Sequence, residues 1–508
     1  MANVASKKTA QRTEFGDWQT PLELARKICL FVSREFQPSS VFEPNCGKGA
    51  FLRASISAFP EASEFVGLEI NGAYVQEAQE IESSRLRIIH DDFFSYRWDK
   101  DIQCLPEPLL VIGNPPWVTN AELTRLRSKN LPVKSNFNGV NGIDAITGKS
   151  NFDISEWMLI KEVEALQGRN ALLAMLCKTA IARKVLLYAW KNRLAFSKAQ
   201  IREIDAPKYF AVAVDACVLI IRFCPQFNRE DSSCPVYSSF DATEPDYVLG
   251  IRNGRLVSNA EVVDRYQDLL ASGAPEFMWR SGIKHDCSKV MELSVRSDGR
   301  LVNGFKECVD IEEALLYPML KSSDLANGTI QSIRRFMLVP QRNVGGETIS
   351  IESLYPKTWL YLMEHAERLD KRGSSIYRNR PRFSIFGVGD YSFKPWKIAI
   401  SGLYKSLRFR VIGPYVGKPV VFDDTCYFLA CETEEEVNII GRVLKSQVAR
   451  EILTAHIFWD SKRPITRDVL SVIDIAAVAR HIGIFDSLAK VCSHFSFHKQ
   501  PTLFDSMT

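Results

Sequence analysis

The chain has 508 residues, 46% hydrophobic and 24% charged, a composition that gives ample length for two or three buried cores and excludes a fibrous or mostly disordered protein. Its 64 basic residues against 60 acidic ones leave a net charge of +4, too little by itself to name a partner. No run approaches the roughly 18 apolar residues of a membrane helix and the polar start lacks a signal-peptide core, so the expectation is a cytoplasmic protein without a membrane partner. Twelve cysteines with no CxxC pair argue against a disulfide framework or a zinc ribbon, and no metal is expected.

From about residue 40 to 224, short aliphatic or β-branched runs alternate with helical patterns, the signature of an α/β fold built on an open parallel sheet. Strands are predicted at VFEP from residue 41, FVGLEI from 65, LRIIHDD from 86, LLVIGN from 109, ALLAMLCK from 171 and ACVLIIRF from 216. Helices are predicted over Ala50–Ala58, Ala73–Glu82 and Ile154–Leu166, the last stopped at Gly168. The segment Asn120–Asn151, rich in Asn, Gly, Ser and Lys, breaks this rhythm and is long enough to carry function. After Cys224 the stretch PQFNREDSSCPVYSSFDATEPD reads as a polar linker. The expected division is therefore residues 1–224, a linker over 225–245, and an α+β region over 246–508. In that last region FMLVPQR, WKIAISGLY and PVVFDDTCYFLA read as strands, and TWLYLMEHAERLDKR and EEEVNIIGRVLKSQVAREILT as helices.

The residues able to carry chemistry fall at strand ends. In FEPNCGKGAFL, residues 42–52, Gly47 and Gly49 let the backbone turn tightly before a helix that offers free N–H groups. Taken alone, this turn is a weak signal that a structural role or a nicotinamide site explains better, and without GK[ST] it is no phosphate loop. Glu69, ending FVGLEI, can accept both hydroxyls of a ribose, although an acidic loop residue looks the same. Asp92, with Phe93 beside it, can accept from an exocyclic amine next to an apolar wall, and Asp91 is an alternative. Three acids along one edge, Glu43, Glu69 and Asp92, would repel a pyrophosphate and point to a cationic, phosphate-free adenosine cofactor. In LLVIGNPPWVTN the two prolines fix an extended turn that offers the Asn114 side-chain oxygen and the Pro115 carbonyl as acceptors. Trp117 adds a flat face, and the set suits a planar amine on an aromatic ring.

In this order the motifs resemble those of the S-adenosylmethionine-dependent adenine-N6 DNA methyltransferases of type II restriction-modification systems, over residues 15–224. FGDWQTPLELARKI resembles the motif that closes over the methionine end, centred on Thr20 and Pro21. FEPNCGKGAF resembles the glycine motif, which brings Glu43, Pro44, Asn45, Gly47 and Gly49 to the cofactor. Glu69 matches the ribose-binding acid, and Asp92 with Phe93 the adenine-binding pair. NPPW resembles the catalytic tetrapeptide Asn114, Pro115, Pro116, Trp117, with Trp where Tyr or Phe is more usual. NFDISEWMLIKEVEAL and ALLAMLCKTAIARKVL resemble the next helix and strand motifs, and Phe210 the second aromatic that holds the target base. The resemblance implies a Rossmann-like methyltransferase sheet with flanking helices, S-adenosyl-L-methionine as methyl donor and double-stranded DNA as substrate. It also implies an α+β target recognition domain after the catalytic one, and a separately encoded restriction endonuclease as a further partner. The alternatives are action on cytosine N4, RNA or a protein glutamine, or a non-catalytic DNA-binding relative. Cytosine enzymes tend to carry Ser in place of Asn114, and glutamine enzymes are much shorter.

Positive charge concentrates between Lys371 and Arg410, where ten basic residues meet one acid, Asp390, for a local charge of +9. Arg378, Arg380, Arg382, Lys394, Lys397, Lys405, Arg408 and Arg410 are the expected phosphate contacts there, with the interleaved aromatics building the core. Arg125, Arg127, Lys129 and Lys134, just after NPPW, are expected to face DNA as well. Neither Cys492, His494 and His498, which lack a fourth ligand, nor the consecutive His285, Asp286 and Cys287 are expected to form a site.

Overall fold

The apolar runs form the middle of one ten-stranded sheet: β1 (Ser40–Glu43), β2 (Glu64–Glu69), β3 (Leu86–His90), β4 (Leu109–Gly113), β5 (Ala171–Lys178), β6 (Lys198–Ile204), β7 (Ala216–Phe223), β8 (Ser233–Tyr237), β9 (Tyr247–Arg252) and β10 (Arg255–Val257). The computed structural model describes residues 19–98, 100–118, 153–225, 232–273 and 276–492. The chain divides into two compact units, Met1–Glu261 and Val262–Thr508.

Strand order is β10-β9-β8-β6-β7-β5-β4-β1-β2-β3. The stretch from β3 to β5 is parallel throughout. β1, β4, β5 and β7 are almost entirely buried, which is why their sequences are continuous apolar runs rather than alternating ones. The parallel order ends at β7, which runs antiparallel to both β5 and β6. Residues 205–215 join β6 to β7 with a single five-residue helix, a connection that returns the chain beside the strand it left. The expected linker over 225–245 is likewise corrected, because Ser233–Tyr237 pairs with β6 and β9 and the first unit runs on to Glu261. Cys234 and Val236 are the buried side chains that hold it there.

One face of the sheet is covered by α1 (Leu22–Glu35) and α2 (Ala50–Ala58), whose Leu24, Ile28, Val32, Phe51 and Leu52 share a core with Val41, Phe65 and Leu110. Each such side chain contributes about 1.5–3 kcal/mol on burial. On the other face of β1, Phe42 packs against Tyr96 and Trp98 at 5.7 Å. Further helices among the described residues of this unit include α3 (Gly72–Gln79), α4 (Ile154–Ala165), α5 (Thr179–Lys191) and α6 (Ala206–Phe210). β1 has β2 on one side and β4 on the other, so the chain's direction of winding reverses between β1 and β4. The carboxyl ends of those two strands are where open α/β sheets bind ligands.

The second unit is α+β. It holds a four-stranded sheet containing Trp396–Ser401 and Cys426–Cys431, and a five-stranded sheet containing Arg335–Leu338 and Val421–Phe422. Three of its helices matter below: α7 (Ser322–Asn327), α8 (Pro356–Glu364) and α9 (Glu434–Lys445). α9 is capped by the Thr433 side chain, which accepts from the Glu436 N–H, and carries three Glu in its first turn and Arg442 and Lys445 in its last, as the helix dipole favours.

Candidate active site

Glu43 ends β1 and is 3% exposed, and its Oε2 accepts the Leu52 N–H of α2 at 3.1 Å. Burial raises its pKa well above the ordinary carboxylate range, with the charge of Glu69 adding and the Leu52 N–H opposing. The following turn closes through Gly49 N–H to Cys46 C=O at 2.7 Å, with φ +51° at Gly47 and +79° at Gly49. The left-handed φ at Gly49 favours glycine, and a Cβ there would in addition lie 2.5 Å from Ile81 Cδ1 and displace that side chain. Pro44 precedes this turn, and the Asn45 side-chain oxygen is buried with no partner among the described residues.

Glu69 ends β2 and reaches across to the same turn: its Oε2 accepts the Gly47 N–H and its Oε1 the Asn71 N–H, both at 2.8 Å. Residues 19–21 adjoin the turn from the other side. Gln19 Oε1 accepts the Lys48 N–H at 3.3 Å, Thr20 is half-buried, and Pro21 starts α1. The structure thus brings together Thr20, Pro21, Glu43, Pro44, Asn45, Gly47, Gly49 and Glu69.

Asp92 lies just past β3 and is half-exposed, one carboxylate oxygen accepting the Phe94 N–H at 3.1 Å. Asp91 is spent on the turn itself, its Oδ1 accepting from Asp92 N–H and Ser95 Oγ. Phe93 is 4% exposed and packs on Trp98 at 4.6 Å. Phe94 is the more exposed ring and faces Trp157 of α4 at 5.0 Å. Both phenylalanines, with Trp98 and Trp157, line a cleft of about 630 Å³. Phe94 and Trp157 were legible only as further aromatics near the motifs.

Asn114 follows β4 directly. A Cβ on Gly113 would sit 3.6 Å from Glu43 Cγ and 3.4 Å from Met175 Cε, ordinary contact distances that show this turn lying against Glu43. Pro115 is buried, Pro116 half-buried, and Trp117 6% exposed. The Trp117 and Phe210 rings, 93 residues apart in the chain, meet at a centroid distance of 5.2 Å and an angle of 59°. Phe210 ends α6, which Asp205 caps by accepting the Lys208 N–H at 3.0 Å.

A partly buried ion pair missed in the sequence supports this turn. Asp153 Oδ2 accepts from Lys178 Nζ at 2.7 Å, while its Oδ1 caps α4 by accepting from Ser155 N–H and Oγ. The Ile154 N–H donates to Val118 C=O at 3.0 Å, so the start of α4 is tied to the residue after Trp117. Lys178 is the last residue of β5, beside β4 in the sheet.

Arg125, Arg127, Lys129 and Lys134 lie outside the described residues. In the second unit the basic window divides. Lys397 is 1% exposed and its Nζ donates to the Lys394 carbonyl at 2.6 Å, so it is withdrawn from the expected phosphate contacts; burial pushes its pKa down to about 7. Arg382 pairs with Asp370 at 2.7 Å and Lys394 with Glu432. Arg408 and Arg410 donate to the Ala326 and Leu325 carbonyls at the end of α7. Arg378, Arg380 and Lys405 are exposed.

No family model matches the chain. Over 476 residues it is 44% identical to the type II methyltransferase M.NspV of a Nostoc strain, an alignment covering 93% of this chain and 98% of that protein. It is 31% identical over 109 residues, 22% of this chain and 26% of the other, to the type II methyltransferase M.CvrRI of a Paramecium bursaria Chlorella virus. The fold is similar to that of the type IIL restriction-modification enzyme MmeI in complex with DNA, with a TM-score of 0.51 and 14% identity, covering 91% of this chain and 71% of that one. With 44% identity across nearly the full length of both proteins, the chain belongs to the type II methyltransferase family.

Proposed function

We propose that the chain transfers a methyl group from S-adenosyl-L-methionine to the N6 amine of an adenine flipped out of double-stranded DNA, at a specific site and as the modification partner of a restriction system. The observation that carries this reading is the Asn-Pro-Pro-Trp turn at the end of β4, lying against Glu43 across Gly113 and facing Phe210 through Trp117. The family membership supports the reaction class, and MmeI, which binds DNA, supports the substrate class.

The residues present fit the cofactor. The orphaned Asn45 oxygen, with the carboxyl groups of the buried Glu43 and of Glu69 beside it, makes an acceptor-rich site suited to a cationic nucleoside. When bound, S-adenosyl-L-methionine supplies a methyl group on a good leaving group. Glu69 would hold the ribose hydroxyls, Asp92 the adenine amine, and Glu43 the positive end. Asn114 Oδ1 and the Pro115 carbonyl would accept the two hydrogens of the target amine, which draws its lone pair out of conjugation and fixes its direction. Trp117 and Phe210 would clasp the flipped ring, each base–aromatic contact offsetting about 1–3 kcal/mol of the unstacking cost. The rate gain comes from positioning and electrostatics, and the chemistry calls for no metal and no covalent enzyme intermediate.

The second unit is proposed as the target recognition domain. Among the described residues no helix is long and apolar enough to cross a membrane, and the proposed location is the cytoplasm. The test is to incubate the purified chain with radiolabelled S-adenosyl-L-methionine and duplex DNA, then separate the nucleosides. Label in N6-methyl-2′-deoxyadenosine supports the reading; label in N4-methyl-2′-deoxycytidine, or in RNA or protein when these are offered, overturns it.

A further inference from the structure

Within the second unit, most cations of the basic window already have partners. Lys371 pairs with Glu367, Arg382 with Asp370 and Lys394 with Glu432. Arg372 donates to the Leu369, His285 and Ser384 carbonyls and lies over the Tyr377 ring. Arg408 and Arg410 are spent on α7, and Lys397 is buried. Charge engaged in this way builds the fold and is poorly placed to displace counterions from a polyanion.

Arg378 and Arg380 are different. Both are exposed, and neither makes an ion pair or side-chain hydrogen bond among the described residues. The loop that carries them is tied to a second loop, residues 341–348. Gln341 Nε2 donates to Ile385 C=O at 3.1 Å and Thr348 Oγ1 to Arg382 C=O. Arg380 lies over Gly345, where a Cβ would be 3.4 Å from its Nη1 and where φ is +81°. This second loop brings an arginine from outside the window, Arg342, which is exposed and stacks on the Phe393 ring at 4.1 Å. Stacking uses the face of a guanidinium and leaves its N–H edges for an acceptor.

We infer that Arg342, Arg378 and Arg380, on two loops tied to one another, form the edge of the second unit that contacts the sugar-phosphate backbone of duplex DNA. Three unpaired guanidinium groups on adjoining loops repel one another in the free protein, and an arginine fork matches a phosphate in two hydrogen bonds. The inference rests on the proposed DNA substrate and adds which cations meet it.

The experiment is fluorescence anisotropy of the full chain with a labelled duplex of arbitrary sequence across a salt series. Three proteins are compared: wild type; Arg342→Gln/Arg378→Gln/Arg380→Gln; and the paired-cation control Lys371→Gln/Arg382→Gln/Lys394→Gln. Each phosphate contact contributes about 0.9 to the log–log salt slope, so the first variant should lose roughly 2–3 units of slope while the control keeps the wild-type slope. An unchanged melting transition in the first variant separates lost contact from lost folding. A wild-type slope in that variant, or an equal loss in the control, overturns the assignment. If the wild type itself shows no salt-dependent duplex binding, the DNA reading falls and this inference falls with it.

Discussion

Lys397 offers the most quantitative test of the second unit. Its side chain is 1% exposed and its pKa is lowered to about 7 from 10.5 because burial disfavours the ammonium. Between pH 7 and 10.5 the unfolded chain holds this proton and the folded one does not, so the unfolding free energy rises with pH across that window, by up to about 1.4 kcal/mol per unit. The full difference, a ceiling of about 5 kcal/mol, weighs against folding below pH 7. Lys397→Met keeps an unbranched chain of similar length and removes the titration. It also leaves the Lys394 carbonyl without its donor, which costs about 1–3 kcal/mol. The net expectation is a gain of a few kcal/mol at neutral pH that shrinks as pH rises. Scanning calorimetry of the full chain at several pH values checks this: the affected transition should climb with pH in wild type and stay flatter in Lys397→Met. Parallel pH profiles, or a less stable variant at pH 7, would refute the reasoning. The duplex salt slope should not change in Lys397→Met, since a buried amine contacts no phosphate.

In the free protein the raised pKa of Glu43 keeps a proton on it above the ordinary 4.5, where the unfolded chain has lost one; a cation bound beside it favours the carboxylate. Cofactor binding should therefore release protons and tighten as pH rises, and Glu43→Gln should flatten that dependence in titration calorimetry; an equal pH slope in the variant contradicts it. A flat base between two rings needs about 7 Å, so Trp117 and Phe210, now 5.2 Å apart, must separate to admit one. Phe210→Ala should lower kcat/KM roughly 10- to 100-fold with cofactor affinity unchanged, and a wild-type value would remove that ring from the clasp. Lys178→Met should lower kcat about tenfold or more by loosening the tie between α4 and the Asn-Pro-Pro-Trp turn, whereas Lys178→Arg restores it; equal losses in both would point to folding alone.

The parts of the fold legible in sequence are those where burial on both faces forces continuous apolar runs, as in β1, β4, β5 and β7. β6 was hidden because KAQIREI buries the polar Gln200 and Arg202 along with Ala199 and Ile201. β8 was hidden by its serine and proline, with only two inward residues. Long helical patterns ran through breaks that local chemistry makes. His365 ends α8 before Ala366–Asp370, and Ser446 ends α9 and caps the next helix by accepting the Ala449 N–H. The placement of Glu43, Glu69, Asp92 and Asn114 at or just past strand ends was legible because the apolar runs that precede them mark the strands. The Asp153–Lys178 pair could not, since 25 residues separate its members and neither lies in a motif with a charge role. Nor could charge counting tell Arg378 from Arg382, whose partner Asp370 lies outside the window on a neighbouring helix.

The central claim is that the Asn114 side chain holds the amine of a target adenine. It is tested most directly by single-molecule sequencing of DNA from a methylation-deficient host expressing the wild-type chain or Asn114→Ala, with cofactor binding measured on both purified proteins. N6-methyladenine at one recurring short sequence, absent with Asn114→Ala although that protein still binds S-adenosyl-L-methionine, is the predicted result. Undiminished methylation by Asn114→Ala, or no modified adenine from a wild-type chain that binds the cofactor, would contradict it.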